Sequence, residues 1–294
     1  MSDKCALAFG EVLWDVYPEK KTLGGAALNF AAHFALKGGS ARLISAVGDD
    51  TLGQQALCEI QRLSVDTRFV SVLPGRKTGR CDVTLDGNAV PKYDLIPDTA
   101  YDRIPAEGVD DTRCDVFYFG TLALREGRNT ASLRQLLARI SGLKFCDLNL
   151  RAPYYGRDVI RFCLENADIA KISLEELPEV LRTLDMPCIT DTPLQAEAAI
   201  FSLARRFNNL RLILLTCGAD GAAVLDCKAA RMFRCNAVKT QVVSTVGAGD
   251  SFSAAFIYSL LNGKSLLSSL ECGASTAAWV CSYPQAVPPS AQKK

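Results

Sequence analysis

Along the chain, short apolar runs rich in β-branched and aromatic residues alternate with segments whose apolar positions recur every three or four residues. CALAF at 5–9 reads as a buried strand, and GAALNFAAHFALKGG at 25–39 as a helix of strong formers closed by Gly38-Gly39. ARLISAV at 41–47 follows as a strand and TLGQQALCEIQRL at 51–63 as a helix. The rhythm returns in DVFYFG then NTASLRQLLARIS, and in KFCDLNL then GRDVIRFCLENA. LRLILLT at 210–216 is the clearest buried strand, preceded by a helix start in which Thr192 caps, Pro193 suits the first turn and Gln195 completes a capping box. KTQVV at 239–243 reads as a further strand ending at Ser244, with a long helix from about Gly247. Repeated strand–helix units of this length predict an α/β fold, a doubly wound and mostly parallel sheet flanked by helices.

Two stretches break the rhythm. WDVYPEKKTLGG has no helical period, and TGRCDVTLDGNAVPKYDLIP alternates in polarity with Asp86-Gly87-Asn88 as a turn between two strands. Segments at about 11–24 and 76–98 are therefore expected to form a small β lid or an edge hairpin beside one large domain spanning 1–294. Unpaired lid edges need protection, and pairing between two subunits in a homodimer is one way to give it.

Composition narrows the function classes. The 294 residues carry a formal net charge of +1, so there is no basic surplus to track a phosphate backbone and no nucleic-acid partner is expected. No apolar run approaches a bilayer-spanning length, and MSDKCALAFGEVLWDVYPE lacks a leader's continuous apolar segment, so neither a membrane role nor a signal peptide is expected. Twelve scattered cysteines without a Cys-x-x-Cys pair suit a reducing, cytoplasmic setting better than a disulfide framework. The single histidine, His33, sits in the Ala-rich helix segment, far from any evident partner set, and is expected to be a helix residue and nothing more. That removes a zinc cluster and a Ser-His-Asp arrangement from consideration.

The sharpest chemistry lies in STVGAGDSFSAAF at 244–256. Gly247, Ala248 and Gly249 put small residues where backbone N–H groups converge at a helix N-terminus, an arrangement that suits a phosphate or a developing anion. Asp250 stands in the first turn beside those donors, placed to accept a proton from an alcohol. An acidic residue there also favours the helix dipole, so on physics alone a ligand-binding turn and a structural one stay open. The segment is neither a Walker A loop nor a dinucleotide fingerprint.

Over nearly its whole length the chain resembles the PfkB, or ribokinase-like, family of carbohydrate kinases. The resemblance rests on GGAALNFAAHFALKGG, GDDTLG, DLNLR, ADIAKISLEE, LTCGADGAAVLD and STVGAGDSFSAAF in that order, and GEVLWDVYPE with DLNLR looks most like the fructokinase branch. It implies ATP-dependent phosphorylation of a sugar hydroxyl, fructose first, with Asp250 as general base and Gly247, Ala248 and Gly249 as anion hole. Asp15, Gly24, Gly25 and Asn29 match the family's sugar ligands, and Asn149 and Arg151 should face the same cleft. Ser173 and Glu176 fall where the family orders phosphate and magnesium, Glu176 reaching the metal through water. Thr216, Gly218 and Gly221 fall where the family lines the nucleotide of Mg-ATP. Ser173 replaces the usual Asn of the magnesium region; Ser244 replaces the usual Asp ahead of the turn and Gln285 a usual Gly, and from these two weak or absent activation by a monovalent cation is expected. Other acceptors (ribose, a nucleoside or a 2-keto-3-deoxy sugar acid, the last calling for a cation such as Arg80) are the alternatives. A noncatalytic sugar- and nucleotide-binding protein is the competing class, against which the intact GAGD argues.

Overall fold

The computed structural model describes residues 4–85, 91–188 and 192–289. The first half runs β1 (Cys5–Phe9), β2 (Leu13–Val16), β3 (Lys21–Gly24), α1 (Ala26–Leu36), β4 (Ser40–Gly48), α2 (Thr51–Arg62), β5 (Val65–Asp66), β6 (Val70–Leu73), β7 (Gly79–Leu85) and β8 (Pro91–Leu95). It continues through β9 (Val116–Gly120), α3 (Arg128–Arg139), β10 (Leu143–Asp147), α4 (Arg157–Glu165), β11 (Ile169–Ser173), α5 (Leu177–Thr183), α6 (Pro193–Arg206) and β12 (Leu212–Thr216). The last part is β13 (Ala222–Asp226), β14 (Arg231–Cys235), α7 (Ala248–Leu261) and α8 (Leu266–Cys281).

The main sheet has the order β14-β13-β12-β11-β10-β9-β1-β4-β5, with β6 also on β4. It is parallel from β12 through β5, and only β13 and β14 at one edge are antiparallel. The two-residue period of a strand explains how both faces are filled. In β9, Phe117 and Phe119 enter an apolar layer with Leu133 of α3 and Ile200 of α6, whereas Tyr118 enters the opposite layer with Phe30 of α1 and Phe256 of α7. Phe30 and Tyr118 stack with ring centroids 4.3 Å apart, which seats α1 over the centre of the sheet. The capping box at Thr192 is present, Gln195 N–H donating to the Thr192 hydroxyl at 3.3 Å and Gln195 Oε1 accepting from Thr192 N–H at 2.9 Å.

Segments 13–24 and 79–95 supply a second sheet of order β3-β2-β7-β8. The turn expected at Asp86-Gly87-Asn88 lies outside the described residues. Among the described residues no helix is long and apolar enough to cross a membrane, and the twelve cysteines are free thiols.

The strand expected at 239–243 is not there. The main sheet ends at β14, and Val242 and Val243 are 61% and 57% exposed. Val243 and Ser244 N–H donate instead to the carbonyl of Cys281, at the end of α8. β-branched residues favour extended backbone, but nothing in KTQVV says whether that backbone finds a strand partner, and here it crosses from the sheet edge to α7.

Candidate active site

The loops at the C-terminal ends of the parallel strands gather on one rim of the sheet, the place where open α/β sheets hold ligands. Two helices begin there. At the head of α1, Gly25 has φ 117°, and a Cβ on it would lie 2.2 Å from the Glu11 carbonyl, so only glycine fits. The buried Glu11 carboxylate accepts from Ala26 N–H at 2.8 Å, satisfying one of the free donors of the first turn. At the head of α7, Gly247 is left-handed with φ 80°, and its Cβ would stand 2.6 Å from the Ala286 carbonyl. The 281–289 loop is therefore pressed onto the GAGD turn.

The helices meet through two polar contacts. Asn29 Nδ2 donates to Asp250 Oδ2 at 2.8 Å. One turn further along α1, His33 lies 2.8 Å from the Ala286 carbonyl through Nε2, which fixes Nε2 as the protonated nitrogen because a carbonyl only accepts. His33 is thus more than the plain helix residue expected: it is 1% exposed and ties α1 to the loop over the GAGD turn. Burial holds its pKa below the ordinary value, with the Ala286 carbonyl and Asp250 opposing.

Asp250 is 8% exposed, and burial raises its pKa against the Asn29 hydrogen bond and the positive charges of Lys171 and Arg151. A carboxylate so placed is a better proton acceptor than one in water. Within the turn, Ala248 N–H donates to the Thr245 carbonyl at 3.2 Å, so one of the three small residues already has a partner for its N–H. Gly249 has no left-handed φ; a Cβ there would lie 3.2 Å from Lys171 Nζ, a tight contact with an ammonium group beneath the turn.

Asp15 sits on β2 with its pKa raised to about 6, chiefly by burial, with Arg151 opposing. A Cβ on Gly24 would come within 3.2 Å of Asp15 Oδ2, so glycine keeps that face of the carboxylate open. Arg151 is itself exposed, yet its charge reaches Glu11, Asp15 and Asp250, which places its guanidinium on the cleft they share. Asn149 adopts φ 39°, a backbone that Asn tolerates better than most residues, at the turn leaving β10.

Glu176 ties two rim loops together, accepting from Leu150 N–H at 2.5 Å and Ser173 N–H at 2.8 Å. Ser173 Oγ in turn accepts from Glu176 N–H at 3.2 Å. Among the described residues no three carboxylate, imidazole or thiol ligands converge on a point. A lone carboxylate on the rim fits magnesium, which keeps most of its waters and shares substrate phosphates. Thr216 ends β12 next to these loops, its carbonyl accepting from Leu174 N–H at 2.8 Å. Gly218 follows exposed, with φ 55°, while a Cβ on Gly221 would lie 2.1 Å from the Cys235 carbonyl of β14, a packing reason for glycine that needs no ligand.

Arg80, on β7, is exposed and pairs with Asp82. Gln285 has no positive φ, so the replacement of glycine there meets no backbone obstacle.

Sequence reading missed three members of this constellation. Glu11 lies in the GEVLWDVYPE segment, but nothing local to it tells that its carboxylate turns to the head of α1. Asp147 and Lys171 are directly paired in register on β10 and β11, and Lys171 Nζ lies 2.9 Å from both carboxylate oxygens of Asp147. A lysine inside the apolar run IAKIS was the available signal, because lysine is seldom buried without a partner.

The pfkB family carbohydrate kinase profile matches residues 2–293. Among curated proteins, probable fructokinase-7 of Arabidopsis thaliana is 29% identical over 292 residues, covering 90% of this chain and 81% of its own. Among solved structures, the ATP-bound fructokinase of Xylella fastidiosa superposes with a TM-score of 0.86 at 21% identity, over 97% of this chain and 94% of that one. The Vibrio cholerae O395 fructokinase with fructose, ADP and calcium gives 0.82 at 20% identity, over 98% and 96%.

Proposed function

The chain belongs to the pfkB family of carbohydrate kinases and is an ATP-dependent sugar kinase, and from that premise we propose that its acceptor is fructose and its general base Asp250. The observation that carries the reading is the buried Asp250 carboxylate at the head of α7, held by Asn29 from the head of α1. Asp15 accepts from sugar hydroxyls, Gly24 and Gly25 let the sugar approach backbone, and Asn29 both binds sugar and aims Asp250. Asp250 takes the hydroxyl proton as the oxygen attacks phosphorus. The first turn of α7, from Gly247 through Gly249, faces the charge that develops on the transferred group. Mg-ATP supplies that group; Glu176 with Ser173 would hold the metal through water, and Thr216, Gly218 and Gly221 would line the nucleotide, with Asn149 and Arg151 between the two substrates. The second sheet covers the sugar as a lid and limits water as a competing acceptor.

Arg80, the cation that a sugar acid would call for in the second sheet, pairs with Asp82, which supports a neutral acceptor and leaves Arg151 as the cation on the cleft. A panel of acceptors with coupled ADP detection tests the assignment: fructose should give the highest kcat/KM, and a preference for ribose, a nucleoside or a sugar acid would displace it. Asp15 adds a pH signature. Its pKa of about 6 lies above the usual carboxylate value, so the ionised acceptor form is lost as pH falls through that point. The KM for fructose should rise on the acid side of about 6 in the wild type. Asp15→Asn should show a high KM without that inflection, at a kcat closer to normal.

Potassium should stimulate little. Ser244 Oγ accepts from Val246 N–H at 3.2 Å, and the Cys281 carbonyl already accepts two backbone amides. Turnover compared in sodium, potassium and a bulky organic cation at constant ionic strength decides it; strong activation by potassium alone would show that backbone oxygens still build a cation site.

A further inference from the structure

The pair Asp147–Lys171 lies beneath the anion-hole turn and has no part in the mechanism above. Both side chains sit in the sheet: Asp147 is 0% and Lys171 5% exposed. Their strands deliver them side by side, and Lys171 Nζ is 2.9 Å from each oxygen of Asp147. The arrangement has a direction. The ammonium is the group nearest the place a Gly249 side chain would fill, at 3.2 Å. The carboxylate is met instead by the Ser253 hydroxyl, 3.2 Å from Asp147 Oδ2 and 2.9 Å from the Gly249 carbonyl. Two of the ammonium's three N–H groups are committed to Asp147, and the third is left on the side of the turn. A buried pair of this kind adds little net stability over a well-packed apolar pair, so its presence under the reacting centre calls for another use.

We propose that Lys171 is a positioning residue for phosphoryl transfer: anchored by Asp147, its ammonium stands against the bare face of Gly249 and fixes positive charge under the first turn of α7. The charge acts in two ways. It holds the N–H groups of that turn in place through Gly249, and it keeps the neighbouring Asp250 ionised in spite of burial. Both oxygens of Asp147 lie 2.9 Å from Lys171 Nζ, so the ammonium keeps its charge in the paired, buried state. Asp250 is surrounded by Asn29 and His33 of α1, Glu11 from the β1 end, Tyr118 of β9, Asp147 of β10, Arg151 of the following loop and Lys171 of β11. Of these, Lys171, Arg151 and His33 favour its ionised form; Arg151 is exposed, burial holds His33 toward the neutral imidazole, and Lys171 is the buried ammonium.

The inference rests on Asp250 as the base, and the test separates the two. The pH dependence of kcat, at saturating fructose and Mg-ATP, is compared for wild type, Lys171→Met, Asp147→Asn and the double replacement Asp147→Leu with Lys171→Met. Lys171→Met should lower kcat by about 10- to 100-fold, the usual scale for a group that orients a primary one, with the KM for fructose little changed. Its acidic limb should move to higher pH, because an ionised Asp250 has lost a nearby positive charge. Asp147→Asn should move the limb the other way, since it leaves the ammonium unopposed. The double replacement buries no isolated charge and is expected to fold even if Lys171→Met does not. Its limb should move with that of Lys171→Met, because the ammonium is the nearer of the two charges to Gly249. An unmoved limb in the folded variants overturns the proposal, even where activity falls, because a merely structural pair would cost activity without shifting it. Failure of the base reading shows elsewhere, as near-normal turnover in Asp250→Asn.

Discussion

Asp250→Asn will reduce turnover by at least about 100-fold, the contribution of a positioned proton acceptor, with fold and nucleotide affinity little changed. The substitution keeps the shape, and an amide oxygen can still accept from Asn29 Nδ2 as the carboxylate does at 2.8 Å. What it removes is the ability to take a proton. Stability should move in the opposite direction to activity. Burial raises the folded-state pKa of Asp250 above its unfolded value, so the fold favours the protonated carboxyl. The contribution of that carboxyl to stability is present at low pH and lost as pH rises through the folded pKa. At pH 8 the wild type therefore carries a buried charge that the amide does not, and thermal melting should find the variant at least as stable as the parent. Steady-state kinetics, nucleotide titration and melting on the same preparation check all three parts. A variant with near-normal turnover would remove Asp250 as the base.

How much of this was legible in the sequence depends on the range of the contacts involved. β1 was readable as CALAF because five apolar residues between polar flanks are a local signal, and the strand occupies Cys5–Phe9. The start of α6 was readable because a capping box is complete within four residues. Gly25 and Gly247 stood out as glycines before helices, but their reasons lie in partners remote in sequence, the carbonyls of Glu11 and Ala286. Gly249 shows the limit most clearly. The sequence marked it as a small residue at a helix head, whereas the structure sets the Lys171 ammonium close beneath it, 3.2 Å from where a Cβ would stand. His33 likewise looked isolated because its partner, Ala286, arrives from the far end of the chain. KTQVV failed for a related reason: extended backbone is a local preference, and finding a strand partner is not.

Gly247→Ala tests the turn itself, and a second glycine separates its two effects. Gly247 and Gly263 both have left-handed backbone, with φ 80° and 78°, at the two ends of α7. An added Cβ at Gly263 meets nothing within 4 Å, while at Gly247 it would lie 2.6 Å from the oxygen, 2.7 Å from the Cα and 2.8 Å from the Cβ of Ala286. Both alanine variants bear the strain of a left-handed L-residue, about 1–2 kcal/mol. Only Gly247→Ala must also push the 281–289 loop away or rotate the turn, because backbone atoms cannot swing aside as a side-chain end does. Rotation would misdirect the N–H donors that we propose face the transferred phosphoryl group, and loss of one such donor is worth about 10²–10³ in kcat. The expected result is therefore a comparable drop in melting temperature for the shared strain, a further drop for Gly247→Ala, and a kcat loss of that order in Gly247→Ala alone. Moving the loop also breaks the contact between His33 and the Ala286 carbonyl, which opposes the effect of burial, so the imidazole pKa should fall further below its ordinary value in that variant, readable by NMR titration of the chain's single histidine. Wild-type turnover in a folded Gly247→Ala would show that this turn does not stabilise the reaction. Equal kinetic losses in both variants would assign the effect to the stability of α7 as a whole rather than to the donors at its head.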